Sequence, residues 1–370
     1  MGENSLLIVG AGLSVEPCGF PVDKNFLSES NEGIKNAPQP FLNWALNRLY
    51  GNVISDQRSI FDETWDWQAQ RLETVWSEID ANFNSPKFII NDAEIEAIKD
   101  ELIKLAQSEI RDSKVFHYYY YYSFEGIRNL TPYEMLFLFA GWKLRGLILE
   151  IFGRKRFGSL NADHQTMYRI LIDKIFRGAT KKTVISFNYD VILDEAIEGR
   201  KYLGIKRIND EGLIDFIKPH GSINWYQEHD VRIRELQDPV SIEEIGFKEG
   251  RLYQHSIIPP VDRKREFTHE EFPGVVKQVY AYNLTGEVKQ ALLEADAITI
   301  IGYSFPVGDQ HIRSIMTEVF RLRKSQGRPY NFVRYIDPEA RLRQFTLENL
   351  FFSQQYDPVN KKWTEWIVET

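Results

Sequence analysis

Residues 6–14 read LLIVGAGLS: a short apolar run, a glycine turn, and a leucine and serine that open the next element. An apolar run of this length closed by a glycine is the pattern of a strand buried on both faces. Gly10 and Gly12 have no Cβ, so the backbone there can approach a bound molecule closely. A helix starting after them would point N–H groups and its positive end at a pyrophosphate, and Ser14 adds a hydroxyl. The dinucleotide fingerprint G-x-G-x-x-G is incomplete, because Val15 holds its third glycine position. Glu32, at the spacing of an acidic ribose ligand, is not followed by a second strand pattern. The turn therefore points to a nucleotide site of a kind other than the ordinary dehydrogenase.

The same pattern recurs along the chain. Apolar runs at Thr183–Ser186, Ile214–Lys218, Ala297–Ile301 and Phe332–Ile336 each stop at a polar or glycine residue before polar or helical sequence. Strands alternating with helices predict an α/β fold: a Rossmann-like, mostly parallel sheet flanked by helices. In open sheets of this kind ligands bind at the carboxyl ends of the strands, so these strand ends form the expected rim of one site. Residues 36–150 read differently. Helical spacing in Phe41–Leu49, Glu94–Leu105 and Tyr133–Ile151 predicts a largely helical insertion after the first strand, carrying five consecutive tyrosines at 118–122. Tyrosines pair an apolar body with a polar tip and suit a subunit or module contact. The expected organisation is a Rossmann-like domain from 1–35 and 151–370, with 36–150 as the inserted module. The basic cluster Arg263, Lys264, Arg265 reads as a solvated loop, and the aromatic tail with Phe351, Phe352, Trp363 and Trp366 as chain that packs on the body.

Composition excludes several classes. Against 45 Lys and Arg stand 53 Asp and Glu, a net charge of −8, which disfavours direct nucleic-acid binding by the whole surface. A single cysteine, Cys18, can form neither an internal disulfide nor a four-cysteine zinc site and reads as a buried thiol. No run of about 18 apolar residues predicts a membrane span, and the N-terminus shows no signal-peptide pattern. The expectation is a cytoplasmic protein that binds no metal.

Two further segments carry candidate chemistry. Residues 185–190 read ISFNYD and residues 217–225 read IKPHGSINW, both at strand ends. Asn188 and Asp190 are two apart in extended chain and can face one side. Taken singly each has a plain reading: Asn188 as a turn residue, Asp190 as a helix cap, His220 as a structural histidine.

Together GAGLS, FNYD, PHGS and the GYS at 302–304, in that order, resemble the sirtuin family, and most of all the zinc-free, NAD-hydrolysing branch found in bacterial anti-phage defence proteins. The resemblance covers about 1–30 and 180–340. It implies that Gly10, Ala11, Gly12 and Ser14 hold the NAD pyrophosphate, that Asn188 and Asp190 line the nicotinamide-ribose pocket, and that His220 is the base. It also implies NAD contacts for Gly302 and Ser304, and places Asp337 near the adenosine ribose. The chain departs from sirtuin deacylases in lacking four zinc cysteines between the histidine and the late Gly-x-Ser, and in having Phe187 where they carry glutamine. That favours water over an acyl-lysine peptide as the acceptor. The expected activity is an NAD⁺ glycohydrolase giving nicotinamide and ADP-ribose, with NAD⁺ as substrate and Asn188 and His220 as the catalytic pair. The resemblance further implies an NAD-depleting effector in anti-phage abortive infection. Such an effector would be a homo-oligomer, with a partner ATPase, an Argonaute-type protein or a phage-derived trigger controlling it. Rival readings are a module that senses NAD or ADP-ribose without cleaving it, and an ADP-ribosyltransferase or deacylase.

Overall fold

Each apolar run read above as a strand forms one. The structure, a computed structural model, describes residues 3–20, 152–153, 155–197, 199–203, 214–227, 233–235, 247–248, 251–252, 254–257, 284–306, 309–351 and 354–369. The elements in chain order begin β1 (Asn4–Val9), α1 (Gly12–Cys18), α2 (Ala162–Phe176), β2 (Lys181–Ser186), α3 (Ile192–Ala196), β3 (Arg200–Tyr202) and β4 (Ile214–Ile217). They continue with β5 (Gly221–Gln227), β6 (Ile233–Glu235), β7 (Phe247–Lys248), β8 (Arg251–Leu252), β9 (Gln254–Ile257) and α4 (Thr285–Glu294). The last are β10 (Ala297–Ile301), α5 (Gln310–Ser325), β11 (Phe332–Ile336), α6 (Gln344–Phe351), β12 (Asp357–Val359) and α7 (Trp363–Val368). The expected insertion at 36–150, with its tyrosine run, and the cluster at 263–265 lie outside the described residues.

Seven strands form one sheet in the order β12-β11-β10-β1-β2-β4-β3, and every pairing in it is parallel. With the three-residue edge strand β3 set aside, this is the Rossmann order 3-2-1-4-5-6. Leu6–Val9 and all of β10 are buried, as central parallel strands covered on both faces must be. α2 and α4 both touch β1, and α5 lies between α4 and α6. The buried Ile312, Met316, Val319 and Phe320 make the core stripe of α5 at helical spacing.

β3 and β12 were not expected. Arg200-Lys201-Tyr202 and Asp357-Pro358-Val359 lack apolar runs, and charge and proline are what protect an exposed sheet edge. β4 also stops one residue earlier than the apolar pattern suggests. The Lys218 carbonyl accepts from Gly221 N–H at 2.9 Å and closes a turn there. Beyond that turn β5 leaves the main sheet for a small antiparallel one, β6-β5-β9, while β7 and β8 pair separately.

The C-terminal tail packs on the body through a defect in α1. Pro17 lies inside that helix and has no N–H to give to the Leu13 carbonyl. Two side chains supply the missing donors: Tyr168 Oη at 3.1 Å and Trp363 Nε1 at 3.0 Å. Thr364 Oγ1 adds a bond to Glu16 at 2.6 Å. Cys18, at the end of α1, is fully buried, and burial pushes its thiol up to about 12, so it is an inert core thiol. Among the described residues no helix is long and apolar enough to cross a membrane.

Candidate functional site

The order in which strands are added to the sheet reverses between β1 and β10, which makes their carboxyl ends the topological switch point. The two loops there touch backbone to backbone. Gly10 N–H donates to the Ile301 carbonyl and Gly12 N–H to the Gly302 carbonyl, both at 3.0 Å. A Cβ on Gly12 would stand 2.6 Å from Gly302 Cα, and one on Gly302 would stand 2.5 Å from Gly12 Cα. Gly302 also has φ +58°, which costs a residue with a side chain about 1–2 kcal/mol. The glycines of GAG and GYS are thus required by each other, and two of the amides expected to face a pyrophosphate are engaged with β10. Ala11 is the N-cap residue of α1.

Ser14 is buried rather than offered to solvent. Its Oγ accepts from Asn188 Nδ2 at 3.2 Å, and its hydroxyl works against burial at the Asp190 carboxyl, pulling that group's pKa down. Asn188 and Asp190 therefore do share a side, as their spacing suggests, and Ser14 joins them. Asp190 Oδ1 accepts from Ile192 N–H at 3.0 Å, the cap role that was its plain reading. Burial raises its carboxyl above the ordinary value, against the pull of Lys218 and the Ile192 hydrogen bond.

Lys218 was not among the residues singled out from the sequence. It is fully buried, and its Nζ donates to the Asp190 carbonyl at 2.6 Å and to Asp194 Oδ1 at 3.0 Å. Tyr202 Oη donates to the same Asp194 oxygen. This lysine fixes the turn that carries His220. The turn spans Lys218–Gly221 with Pro219 at its second position, where a fixed φ near −65° suits it. Ser222 Oγ at 3.4 Å and Ile223 N–H at 3.0 Å both donate to the Tyr189 carbonyl, which ties the start of β5 to the end of β2.

His220 is buried, and its ring lies 5.1 Å from that of Phe187 and 6.1 Å from that of Tyr189. Its Nε2 is 2.9 Å from Asp309 Oδ1. The Tyr303 hydroxyl donates to Asp309 Oδ2 at 2.7 Å, and the Tyr303 ring stacks on Phe187 at 4.0 Å and 5°. Arg313, one turn along α5, is pushed down to about 10 by burial and held up by Tyr303 and Asp309, so it remains a cation at neutral pH. The sequence thus placed Asn188 and His220 at one end of the sheet, and the structure ties them to different partners: Asn188 to Ser14, His220 to Asp309.

Ser304 is half-buried in the same loop as Gly302, followed by Phe305 in the left-handed region at φ +53°. Asp337 stands at the end of β11. Its Oδ1 accepts from Glu339 N–H at 2.8 Å and lies 3.8 Å from Arg343 Nε, and burial raises its carboxyl. β11 touches the Gly302 loop through Gly302 N–H, which donates to the Ile336 carbonyl at 3.0 Å.

Among the described residues no group of three His, Cys, Asp or Glu side chains is placed to hold a metal ion. Asp309, Tyr303 and Arg313 escaped the sequence reading. An aspartate just before an amphipathic helix reads as a plain cap, and nothing in sequence shows a cap residue turning inward. Lys218 left a usable signal, a lysine at the end of an apolar strand.

The sequence matches no protein-family model and no curated protein. Solved structures do align. A Sir2 homologue in complex with NAD gives a TM-score of 0.39 at 13% identity, over 98% of this chain and 86% of its own. A mutant Sir2 homologue in complex with ADP-ribose gives 0.39 at 12% identity, over 99% of this chain and 90% of its own. Scores and identities of this size assign neither ligand nor activity to the chain.

Proposed function

We propose that this protein hydrolyses NAD⁺ at its nicotinamide–ribose bond, releasing nicotinamide and ADP-ribose. One observation carries the reading. Segments separated by up to about 290 residues of chain bring Ser14, Asn188, Asp190, His220 and Gly302 to the carboxyl ends of β1, β2, β4 and β10, around the switch point of a Rossmann-ordered sheet. That is where such sheets take dinucleotides.

In this reaction the bond from ribose C1′ to the nicotinamide nitrogen breaks, and its electron pair leaves with nicotinamide. Positive charge develops on the ribose, as in glycoside cleavage. Water adds to C1′ and loses one proton. Asn188 is suited to orient that water, because Ser14 fixes its amide by accepting from Nδ2 and so sets Oδ1 as the acceptor. His220 takes the proton, the general-base role that histidine fills most often. Asp190 orders this pocket through Ser14. Gly10, Ala11, Gly12, Gly302, Ser304 and Asp337 are the residues of the surrounding loops assigned to the dinucleotide. A cellular role as an NAD-depleting anti-phage effector, oligomeric and released by a partner or phage-derived trigger, fits such a hydrolase and belongs to the same proposal.

The test is chromatographic product analysis of the full chain with NAD⁺. Wild type should yield nicotinamide and ADP-ribose in equal amounts. His220→Ala should lose about 10²–10⁴-fold in turnover, the usual size of positioned acid–base catalysis, and Asn188→Ala should lose activity with it. Wild-type rates in both variants would remove this mechanism. NAD binding with no turnover would favour the sensing module instead.

A further inference from the structure

Asp309 is the feature of this site that its fold position does not explain. It occupies the N-cap of α5, where an aspartate ordinarily accepts from the first turn of the helix. Its side chain makes no such bond. It turns inward, has no solvent exposure, and spends both oxygens on other partners: Oδ1 on His220 Nε2 at 2.9 Å and Oδ2 on the Tyr303 hydroxyl at 2.7 Å. The contact with His220 also crosses the sheet. Asp309 follows β10 and His220 follows β4, with β1 and β2 between them. At about 4.8 Å per strand the two elements stand roughly 14 Å apart, and their loops meet over the switch point.

Charge and proton count narrow what this pair does. Nε2 is the ring nitrogen that faces the carboxylate, 2.9 Å from Oδ1, and a carboxylate only accepts, so a hydrogen bond between them places the hydrogen on Nε2. Arg313 already supplies a buried positive charge beside Asp309 and Tyr303, so the carboxylate is balanced without a second proton on the imidazole. A neutral ring protonated at Nε2 carries its lone pair on Nδ1. Which ring nitrogen bears the proton is set by the bond the other one makes.

We propose that Asp309 is the positioning residue for His220, holding the imidazole as its Nε2–H tautomer so that Nδ1 is the nitrogen that takes the proton. This rests on the reading of His220 as the base. Tyr303, anchored by its stack on Phe187, keeps the carboxylate from rotating away.

Asp309→Asn is the informative change, because it keeps size and shape. With Tyr303 donating to the amide oxygen, the amide NH₂ faces Nε2. Nε2 must then accept, and the proton moves to Nδ1. The expected result is a fall in kcat of about 10²–10⁴-fold, no larger than that of His220→Ala, with KM nearly unchanged; an orienting aspartate in a serine-protease triad marks the upper end at about 10⁴. Nitrogen-15 NMR of the histidine-labelled full chain at alkaline pH reads the tautomer directly, with His220→Gln assigning the signal. Wild type should show Nε2–H and Asp309→Asn should show Nδ1–H. A wild-type Nδ1–H signal overturns the proposal without any variant having to fold, as does an unchanged kcat in a folded Asp309→Asn chain. The two claims fail separately: absent NAD turnover in wild type removes the hydrolase reading, whereas turnover that ignores Asp309→Asn removes only the positioning role.

Discussion

Segment Phe187–Asp190 serves two buried clusters that balance charge in opposite ways. On the Ser14 side one lysine answers two aspartates: Lys218 donates to the Asp190 backbone and to the Asp194 carboxylate, and Asp190 keeps a carboxyl raised by burial. On the His220 side one aspartate has three partners, with His220 and Tyr303 on its two oxygens and Arg313 nearby. The first cluster is short of positive charge, and its working groups are neutral amides and hydroxyls. The second is saturated, with a donor on each carboxylate oxygen's side and a cation beside it. A reaction that builds positive charge on a sugar and releases a proton uses both characters. The clusters teach that burial alone does not set an acid's behaviour; the count of partners around it does.

The largest effect should come from removing the shared lysine. Among the described residues, Lys218→Met leaves the buried Asp194 with the Tyr202 hydroxyl alone to hold it, and breaking one partner of a buried pair costs about 3–5 kcal/mol. Urea denaturation should show that loss, and adding Asp194→Asn should recover much of it. Full stability in Lys218→Met with abolished NAD cleavage would break the comparison, since the lysine would then belong to the chemistry.

How much of this was legible follows from the kind of signal each residue leaves. The sheet was legible because central parallel strands are apolar on both faces, and five runs ending in polar or glycine residues mark five of its seven strands. The two edge strands were not, because an edge strand is selected for charge, proline and brevity. Within the site, Ser14, Asn188, Asp190 and His220 were legible because polar groups at the ends of buried strands are conspicuous. Their partners were not. Asp309 caps α5 and Arg313 lies in its first turn, both in ordinary helical sequence, and only the assembled sheet brings that helix start over the end of β4. The roles of Gly10 and Gly12 were legible in part: the need for missing side chains was visible, but not that the Gly302 loop occupies the space a Cβ would take.

A smaller effect tests what the Ser14 cluster stands on. Ser14 rides on α1, whose Leu13 carbonyl was orphaned by Pro17 and recaptured by Tyr168 and Trp363. Trp363→Phe keeps most of the buried ring and removes one donor, so it should cost about 0.5–1.5 kcal/mol, the net worth of one hydrogen bond. The carbonyl keeps Tyr168, so NAD cleavage should persist. A loss beyond about 3 kcal/mol would mean that the tail holds α1 in place as a whole, and the clusters would then differ in foundation as well as in charge.

The smallest expected change is one of slope, and it bears on the contrast most directly. Burial raises Asp190 above its ordinary value of 3.8, so the folded chain holds this proton more tightly than the unfolded chain. Between those two values the folded state binds more protons, and stability from this group falls as pH rises. The contribution is fully present below 3.8 and is gone once pH exceeds the folded value. Asp190→Asn cannot titrate, yet its amide oxygen can still accept from Ile192. Its stability relative to wild type should therefore increase with pH just above 3.8 and then level off, as read by urea melts across that range. A constant difference at every pH would show that Asp190 ionises as freely as an exposed aspartate. The Ser14 cluster would then be as well supplied with positive charge as the one around Asp309.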